Sequence, residues 1–270
     1  DVTRSAPPIK APVMPDPALR TSAEPDPPAS IEILPLAPGQ GVTIRVDRQP
    51  APPLTRRELD AWTELLRDRP RLFDGAVYSV SAFDPATRHI TLAHDSFARV
   101  CLGSARLLGV KAVVLGSDPA SVPHVLINRR HPGTRVYGGL WEAGPGGGVS
   151  PRETPAVDSI ITVESLAQHL SREGQEELGL DLARESDLVV RGPSMFLLDH
   201  AACSLDLVFV VTLNATIDPR AAACRAQDRD WEYLDSAWLS RADTPRFLQQ
   251  HAHAIAPTLP ALLHALHWLA

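Results

Sequence analysis

The sequence contains little cysteine: three residues in 270, Cys101, Cys203 and Cys224, with no Cys-x-x-Cys pair among them. An odd number of scattered cysteines fits a reducing compartment, where thiols are more often buried than catalytic. The sequence also lacks any run of eighteen apolar residues, so it predicts no membrane span. It begins at Asp1 without the apolar core of a signal peptide, and we therefore expect a cytoplasmic protein.

An excess of positive charge is missing as well, since the formal net charge is −6. Proteins that bind nucleic acid or membrane surfaces non-specifically need a basic patch. We therefore expect neither nucleic acid nor a membrane as a partner. A small molecule that carries phosphate remains compatible with this charge, because a bound metal cation can neutralise the phosphate.

The proline content is distributed unevenly along the chain. Residues 1–35 are rich in Pro, Ala, Ser and Asp and cannot bury enough apolar surface to order themselves, so we predict a tail that is disordered or lies on the surface. Residues 36–107 are predicted to form a small N-terminal extension of strands and a helix. Residues 108–270 are predicted to form the main domain.

Alternating and β-branched segments predict strands, which fall at 41–46, 76–83, 89–93, 108–115, 124–128, 188–190, 194–198, 205–213 and 233–239. Helices are predicted at 55–67, around 164–178 and at 258–269. Thr55 and Glu58 have the spacing of a capping box, which marks the start of the first helix. This mixture of helices and strands predicts a layered α/β domain.

The second of these helices carries the most informative chemistry. Glu173, Glu176 and Glu177 stand at i, i+3 and i+4, so their carboxylates crowd one face of a helix that Gly179 can end. Like charges at this spacing destabilise a helix by a few tenths of a kcal/mol, roughly, for each pair. A divalent cation would relieve the repulsion, and Mg²⁺ prefers one or two carboxylates together with water and substrate phosphates.

The full spacing resembles the Nudix box. The residues that carry this resemblance are Glu164, Arg172, Glu173, Glu176, Glu177 and Gly179, with Pro145, Gly146 and Gly147 upstream. The resemblance implies hydrolysis of a nucleoside diphosphate linked to another group, with Mg²⁺, or alternatively Mn²⁺, held by the three box glutamates. It also implies an α/β/α sandwich with a mixed sheet, here with the small N-terminal β/α extension.

Two positions depart from the family pattern. The family has a glycine six residues before the first box glutamate, where this chain has Asp158, and we infer that Gly148 takes that role. Residues 151–162 are then an insertion between the glycine loop and the helix. The family also has an aliphatic residue where this chain has Gly174, and the sequence does not explain this glycine.

The resemblance also implies roles for residues around the box. Arg172 is expected to orient a carboxylate, with Glu164 as its partner on the helix. A general base is expected from a later loop, with Glu232 preferred over Asp228 and Asp230. Substrate contacts are expected from the glycine loop, Gly146, Gly147 and Gly148, and from one of the arginines that precede it, Arg129, Arg130 or Arg135.

A weaker resemblance concerns the Nudix subgroup that cleaves UDP-glucose and UDP-galactose to UMP and a sugar phosphate. It depends on residues 42–46, 60–62, 71–75 and 108–110, together with the insertion. ADP-ribose, NADH, coenzyme A and dinucleoside polyphosphates remain alternative substrates, and a Nudix module that binds a nucleotide without cleaving it remains an alternative function. The expected partner is a small nucleoside diphosphate derivative, and the chain could form a homodimer.

Overall fold

One mixed sheet of twelve strands organises the part of the chain that the computed structural model describes, which is residues 31–37, 39–186, 192–218 and 232–269. The predicted strand at 188–190, the loop acids Asp228 and Asp230, and residues 1–30 of the predicted tail lie outside the described residues. No helix in the described ranges is both long and apolar enough to cross a membrane.

The strands are β1 (Ile31–Pro35), β2 (Thr43–Val46), β3 (Ala76–Asp84), β4 (His89–Ser96), β5 (Leu107–Ser117), β6 (Pro123–Arg130), β7 (Trp141–Glu142), β8 (Gly146–Gly148), β9 (Ile160–Ile161), β10 (Met195–Asp199), β11 (Ser204–Thr212) and β12 (Tyr233–Ser240). The helices are α1 (Arg56–Asp68), α2 (Phe97–Cys101), α3 (Val163–Leu178), α4 (Leu182–Glu185), α5 (Thr244–Gln250) and α6 (Thr258–Ala265), with a 3₁₀ turn at Ala252–Ala254.

The longest path through the sheet runs β1-β10-β11-β5-β3-β4-β2-β9. Strand β5 is the hub, because it pairs with β11 in parallel and with β3, β6 and β8 antiparallel. Strand β6 in turn pairs with β7 and β12. The glycine loop, as β8, is therefore a short strand laid against the N-terminal half of β5.

Two hydrophobic clusters lie on opposite faces of this sheet. Along β5, Leu108, Val110, Ala112 and Val114 point into one cluster, while Val113 and Leu115 point into the other. Leucines of α3 pack in the first cluster and leucines of α6 pack in the second. Helices thus cover both faces, and the predicted α/β/α sandwich with a mixed sheet is confirmed.

The strands predicted within the described ranges are all present, with ends shifted by a few residues. The capping box of α1 is confirmed, since Thr55 accepts from the Glu58 N–H and the Glu58 carboxylate accepts from the Thr55 N–H. The last helix is shorter than predicted and ends at Ala265.

Residues 31–35 differ from the prediction, which placed them in the tail. They form β1, which pairs antiparallel with β10 along its whole length. The alternation of Ile31 and Ile33, which pack against the second cluster, with Leu34, which packs against the first, gives this segment an apolar pattern that the surrounding prolines obscured.

The predicted insertion, residues 151–162, is joined to the sheet. Its end forms β9, in which Ile160 and Ile161 pair with Arg45 and Ile44 of β2. Ile161 is buried in the first cluster. The insertion therefore connects the N-terminal extension to the start of α3.

Gly174, which the sequence left unexplained, has a packing reason. A Cβ atom at this position would lie 2.8 Å from the carbonyl oxygen of Leu180 and 2.9 Å from the side chain of Leu182. The chain that leaves α3 folds back over this point, because Leu180 N–H donates to the Gly174 carbonyl. A larger residue has no room there.

Gly174→Ala should therefore destabilise the protein by about 1–3 kcal/mol through overpacking. On an unobstructed helix the same change would stabilise by roughly 1 kcal/mol. The urea midpoint measures the difference, with Gln175→Ala at the exposed neighbouring position as the control. A gain in stability for Gly174→Ala would contradict this explanation.

Candidate active site

Helix α3 places its acidic residues at the edge of its buried face. Thr162 caps the first turn by accepting from the Ser165 N–H, and Gly179 ends the helix with φ of 69°, as predicted. Leu166, Leu170 and Leu178 face the core. The carboxylates that lie nearest to this face therefore point toward the sheet, where the glycine loop passes.

The glycine loop leaves room for these carboxylates. Gly146 N–H donates to Oε2 of Glu177 over 3.2 Å. A Cβ atom on Gly147 would lie 2.5 Å from the carboxylate carbon of Glu173. At Gly148 the same atom would meet only the Leu107 side chain, at 3.1 Å. Gly147 is thus the glycine at which a side chain would collide with Glu173, and the role inferred for Gly148 from the family spacing stays a prediction.

Glu173, Glu177 and Glu232 come together although Glu232 lies far along the chain. Burial first, and then the charges of Glu153, Glu176 and Glu232, raise the pKa of Glu173 to about 8. Burial, followed by the charges of Glu232 and Glu173, raises the pKa of Glu177 well above its ordinary value, and a hydrogen bond joins Glu177 to Glu232. Two carboxylates this close must share a proton or hold a cation.

Beneath these acids lies a buried network centred on Glu142. Its carboxylate accepts from Lys111 Nζ at 2.9 Å, from Arg130 Nη1 at 2.5 Å and from the Tyr233 hydroxyl at 3.2 Å. Burial alone would raise the pKa of Glu142, but the two cations outweigh it and hold the pKa at about 2. Glu142 is therefore ionised and paired at neutral pH.

A cavity of about 570 Å³ opens above this floor. The glycine loop, Glu232, Arg130 and Lys111 line it on one side, and Arg152 and Glu153 of the insertion line its rim. Its remaining walls include Phe73, Phe97, Arg135, Tyr137, Asp199 and Asp206. The cavity thus combines cations, carboxylates and aromatic rings, and its lining includes the glycine loop and Glu232, which lie against Glu173 and Glu177.

The arginines expected to bind substrate separate in the structure. Arg130 and Arg135 line the cavity, whereas Arg129 points the other way along β6, is exposed, and donates to the Gly139 carbonyl. Arg135 is nearly buried over the Phe97 ring, donates to the Ala202 carbonyl, and forms no ion pair with a carboxylate among the described residues.

Two further expectations concern the box itself. Glu176 is exposed and acts on Glu173 through its charge, so it lies beside the buried pair and not within it. The expected pairing of Arg172 with Glu164 is wrong. Arg172 Nη2 instead donates to the Glu153 carbonyl at 2.9 Å and lies 3.2 Å from Nδ1 of His169.

Sequence reasoning missed four residues at this site: Lys111, Glu142, Glu153 and His169. Lys111 stands inside the apolar strand β5, and a lone lysine in a buried strand was the signal for a buried ion pair. His169 stands four residues before Glu173, on the same face of α3. Glu153 belongs to the insertion, and its sequence position alone carries no such signal.

The site fits a divalent cation. It offers carboxylate oxygens from Glu173 and Glu177, and burial followed by the neighbouring carboxylates raises the pKa of both. The Gly147 backbone leaves the space in which Glu173 sits. Burial also raises the pKa of the nearby Cys101 thiol to about 11, so this cysteine is not a nucleophile at neutral pH.

In the comparison with known proteins, only solved structures matched this chain. No family model and no curated protein matches the chain. A NUDIX hydrolase from Nitrosomonas europaea is 20% identical, with 60% of this chain and 88% of that chain covered and a TM-score of 0.36. A NUDIX hydrolase from Alicyclobacillus acidocaldarius is 18% identical, covers 60% and 90%, and has a TM-score of 0.39.

A third similar structure is a Nudix hydrolase from M. smegmatis, RenU, which is 14% identical, covers 60% of this chain and 84% of its own, and has a TM-score of 0.38. Identity and TM-score are low in all three cases. These likenesses therefore show nothing about the activity of this chain, and its function has to be inferred from the residues of the chain itself.

The raised pKa values of Glu173 and Glu177 predict how stability depends on pH when EDTA removes divalent cations. The folded state holds these protons more tightly than the unfolded state, so their contribution is complete below about pH 4.5 and is lost as the pH rises through about 8. The free energy of unfolding should fall by a few kcal/mol, roughly, between pH 5 and 8. Adding Mg²⁺ or Mn²⁺ at pH 8 should restore it.

Thermal or urea unfolding at several pH values measures this slope. Glu173→Gln should flatten it, because the amide carries no titrating proton. Glu64→Gln, an exposed residue paired with Arg67 on α1, should leave it unchanged. A slope that Glu173→Gln does not alter would refute the assignment.

The Glu142 network predicts a large cost for removing its carboxylate. Glu142→Gln leaves Lys111 without its ion-pair partner and Arg130 with only the more distant Glu232, 3.7 Å away. The free energy of unfolding should therefore fall by about 3–5 kcal/mol. Urea unfolding measures it, again with Glu64→Gln as the matched control. A loss below about 1 kcal/mol, the scale of an exposed ion pair, would show that the network is not a buried one.

Proposed function

We propose that this chain is a Nudix-type pyrophosphohydrolase, which cleaves a nucleoside diphosphate linked to another group with the help of Mg²⁺ or Mn²⁺. The observation that carries the proposal is the convergence of Glu173, Glu177 and Glu232 beside the glycine loop, which together with Glu232 lines one cavity. The chain segments that supply them are remote in sequence, and a purely structural acidic helix would have no reason to bury these carboxylates together.

In this proposal Glu173 and Glu177 hold the cation, and Glu176 adds charge from the exposed side. When bound, a divalent cation neutralises phosphate oxygens and lowers the pKa of a water molecule. Gly146 and Gly147 allow the backbone to pass close to these acids, and Gly146 N–H donates to Glu177. Arg135 supplies a guanidinium that no described carboxylate neutralises, and it suits an anionic group of the substrate.

Glu232 is the proposed general base. It lies against Glu177, and its Oε2 is 3.7 Å from Nη2 of Arg130. It is more exposed than Glu142, so water can reach it from the cavity. These contacts support the proposal, because a carboxylate beside Glu177 could accept a proton from a water bound to a cation there.

The proposed substrate class is a nucleoside diphosphate sugar of the UDP-glucose type. Four residues of the segment 71–75, which resembles the UDP-sugar subgroup, line the cavity: Arg71, Leu72, Phe73 and Gly75. The ring of Phe73 is exposed. Phe97 offers a second ring for a base to contact. Tyr137, Asp199 and Asp206 line another part of the cavity, and the two carboxylates can accept from sugar hydroxyls.

The departures from the family pattern at Gly174 and Asp158 are what leave the alternative of a binding module without turnover open. The packing of Gly174 against Leu180 and Leu182 gives that glycine a structural reason. The site keeps all three box glutamates, and these observations favour hydrolysis over binding alone.

A turnover screen with Mg²⁺ tests the function. The substrates are nucleoside diphosphate sugars, ADP-ribose, NADH, coenzyme A and dinucleoside polyphosphates, with products identified by mass. UMP and a sugar phosphate from a UDP-sugar would support the proposal in full. Hydrolysis of a different class of compound would show that the proposed substrate is wrong. Binding detected by calorimetry without turnover would show that the chain is a binding module and not an enzyme.

Glu177→Gln should lower kcat by ~10²-fold or more on whichever substrate the screen identifies, because it removes a carboxylate charge and keeps the shape. The circular dichroism spectrum should remain that of the unchanged protein. Glu64→Gln should leave kcat unaltered, since this residue lies on exposed α1. A rate for Glu177→Gln near that of the unchanged protein, at saturating Mg²⁺, would refute its catalytic role.

A further inference from the structure

A histidine and two glutamates form a second group of ligating side chains at the rim of the cavity. They are Glu153 of the insertion and His169 and Glu173 of α3, and one ligand atom from each lies within 4.8 Å of the others. Nε2 of His169 is 3.4 Å from Oε1 of Glu173, and Nδ1 is 3.8 Å from Oε2 of Glu153. An ion with bonds of about 2.1 Å holds its ligand atoms about 3–4.2 Å apart, so small shifts suffice.

The histidine itself points to a ligand. Its side chain is fully buried, yet Nε2 has no hydrogen-bond partner among the described residues. A buried polar atom without a partner costs about 1–3 kcal/mol. Nε2 faces the Glu173 carboxylate, so the missing partner must be able to contact both a ring nitrogen and a carboxylate. A cation can contact both.

We propose that Glu153, His169 and Glu173 bind a divalent transition-metal ion, with Nε2 as the nitrogen ligand. Imidazole nitrogen suits transition-metal ions such as Zn²⁺ and Fe²⁺, whereas Mg²⁺ prefers oxygen ligands alone. The site shares Glu173 with the proposed function, but its existence does not require hydrolysis. His169, which lies outside the box spacing, and Glu153, which belongs to the insertion, determine which metal ion the site prefers.

The surroundings of His169 allow this binding. A guanidinium can only donate, so Nδ1 accepts from Arg172 and the neutral ring carries its proton on Nε2. When Nε2 binds a metal ion, the ring proton must move to Nδ1, which lies 3.8 Å from Oε2 of Glu153. Arg172 then no longer donates to Nδ1. Arg172 keeps its bond to the Glu153 carbonyl. One Glu153 oxygen then orients the ring while the other binds the ion.

The experiment uses the full chain, stripped of metal by EDTA and dialysed, and without substrate. Calorimetry with MnCl₂ and with MgCl₂ gives the two affinities, and pulsed electron paramagnetic resonance on bound Mn²⁺ detects a coupled ¹⁴N nucleus. We expect Mn²⁺ to bind at least ~10-fold more tightly than Mg²⁺, with a ¹⁴N coupling. Absence of ¹⁴N coupling in the unchanged protein overturns the proposal.

Variants assign the nitrogen. His169→Gln should abolish the ¹⁴N coupling and weaken Mn²⁺ binding by ~10-fold or more, with little effect on Mg²⁺. The exposed His264→Gln should change neither. Coupling that survives in His169→Gln overturns the assignment.

Because His169 is buried, its variant could fail to fold, and Glu153→Gln on the half-exposed rim provides the second test. Glu153→Gln should weaken Mn²⁺ binding and keep the ¹⁴N coupling. An unchanged Mn²⁺ affinity would show that Glu153 is not a ligand. The outcomes also separate the two proposals. Hydrolysis with Mg²⁺ in a protein without ¹⁴N coupling rejects this site alone, and coupling without turnover on any substrate rejects the proposed function alone.

Discussion

The ionised carboxylate of Glu142 is the constraint on which the site depends. It is buried between Lys111 of β5, Arg130 of β6 and the Tyr233 hydroxyl of β12. A charge buried this deeply must keep its partners, because losing one leaves another charge unpaired. The network therefore fixes the register of strands that come from distant parts of the chain. It also forms the floor against which the acids of α3 and Glu232 are placed.

The elements that the sequence predicted well are those whose signals are local. The alternation of apolar residues marked β5 and β11, because successive side chains of a strand point to opposite faces. The capping box of α1 and the glycine that ends α3 each depend on a few adjacent residues. The crowding of Glu173 and Glu177 followed from helical spacing alone, and their burial against the glycine loop is consistent with it.

What the sequence did not predict depends on contacts between remote segments. Strand β8 is three glycines, which have no strand propensity and pair with β5 only because the fold brings them there. Arg172 contacts the insertion instead of Glu164, since its partner was decided by where residues 151–159 pack. The same packing brings Glu153 to His169. Helical spacing could place Arg172 on a face, but it could not identify what lies opposite.

The two-residue strand β9 gives the site an internal difference in stability. Its two pairs with β2, at Ile44 and Arg45, join positions more than a hundred residues apart in the chain. Forming this edge therefore costs loop-closure entropy, and only a few hydrogen bonds offset that cost. The floor around Glu142 is held by long strands and buried charges. Local opening should therefore begin at the edge and release the segment that carries Glu153, while Glu173 and Glu177 keep their positions. The cavity therefore has one wall that opens rarely and one wall that opens more often, and amide hydrogen exchange would distinguish them.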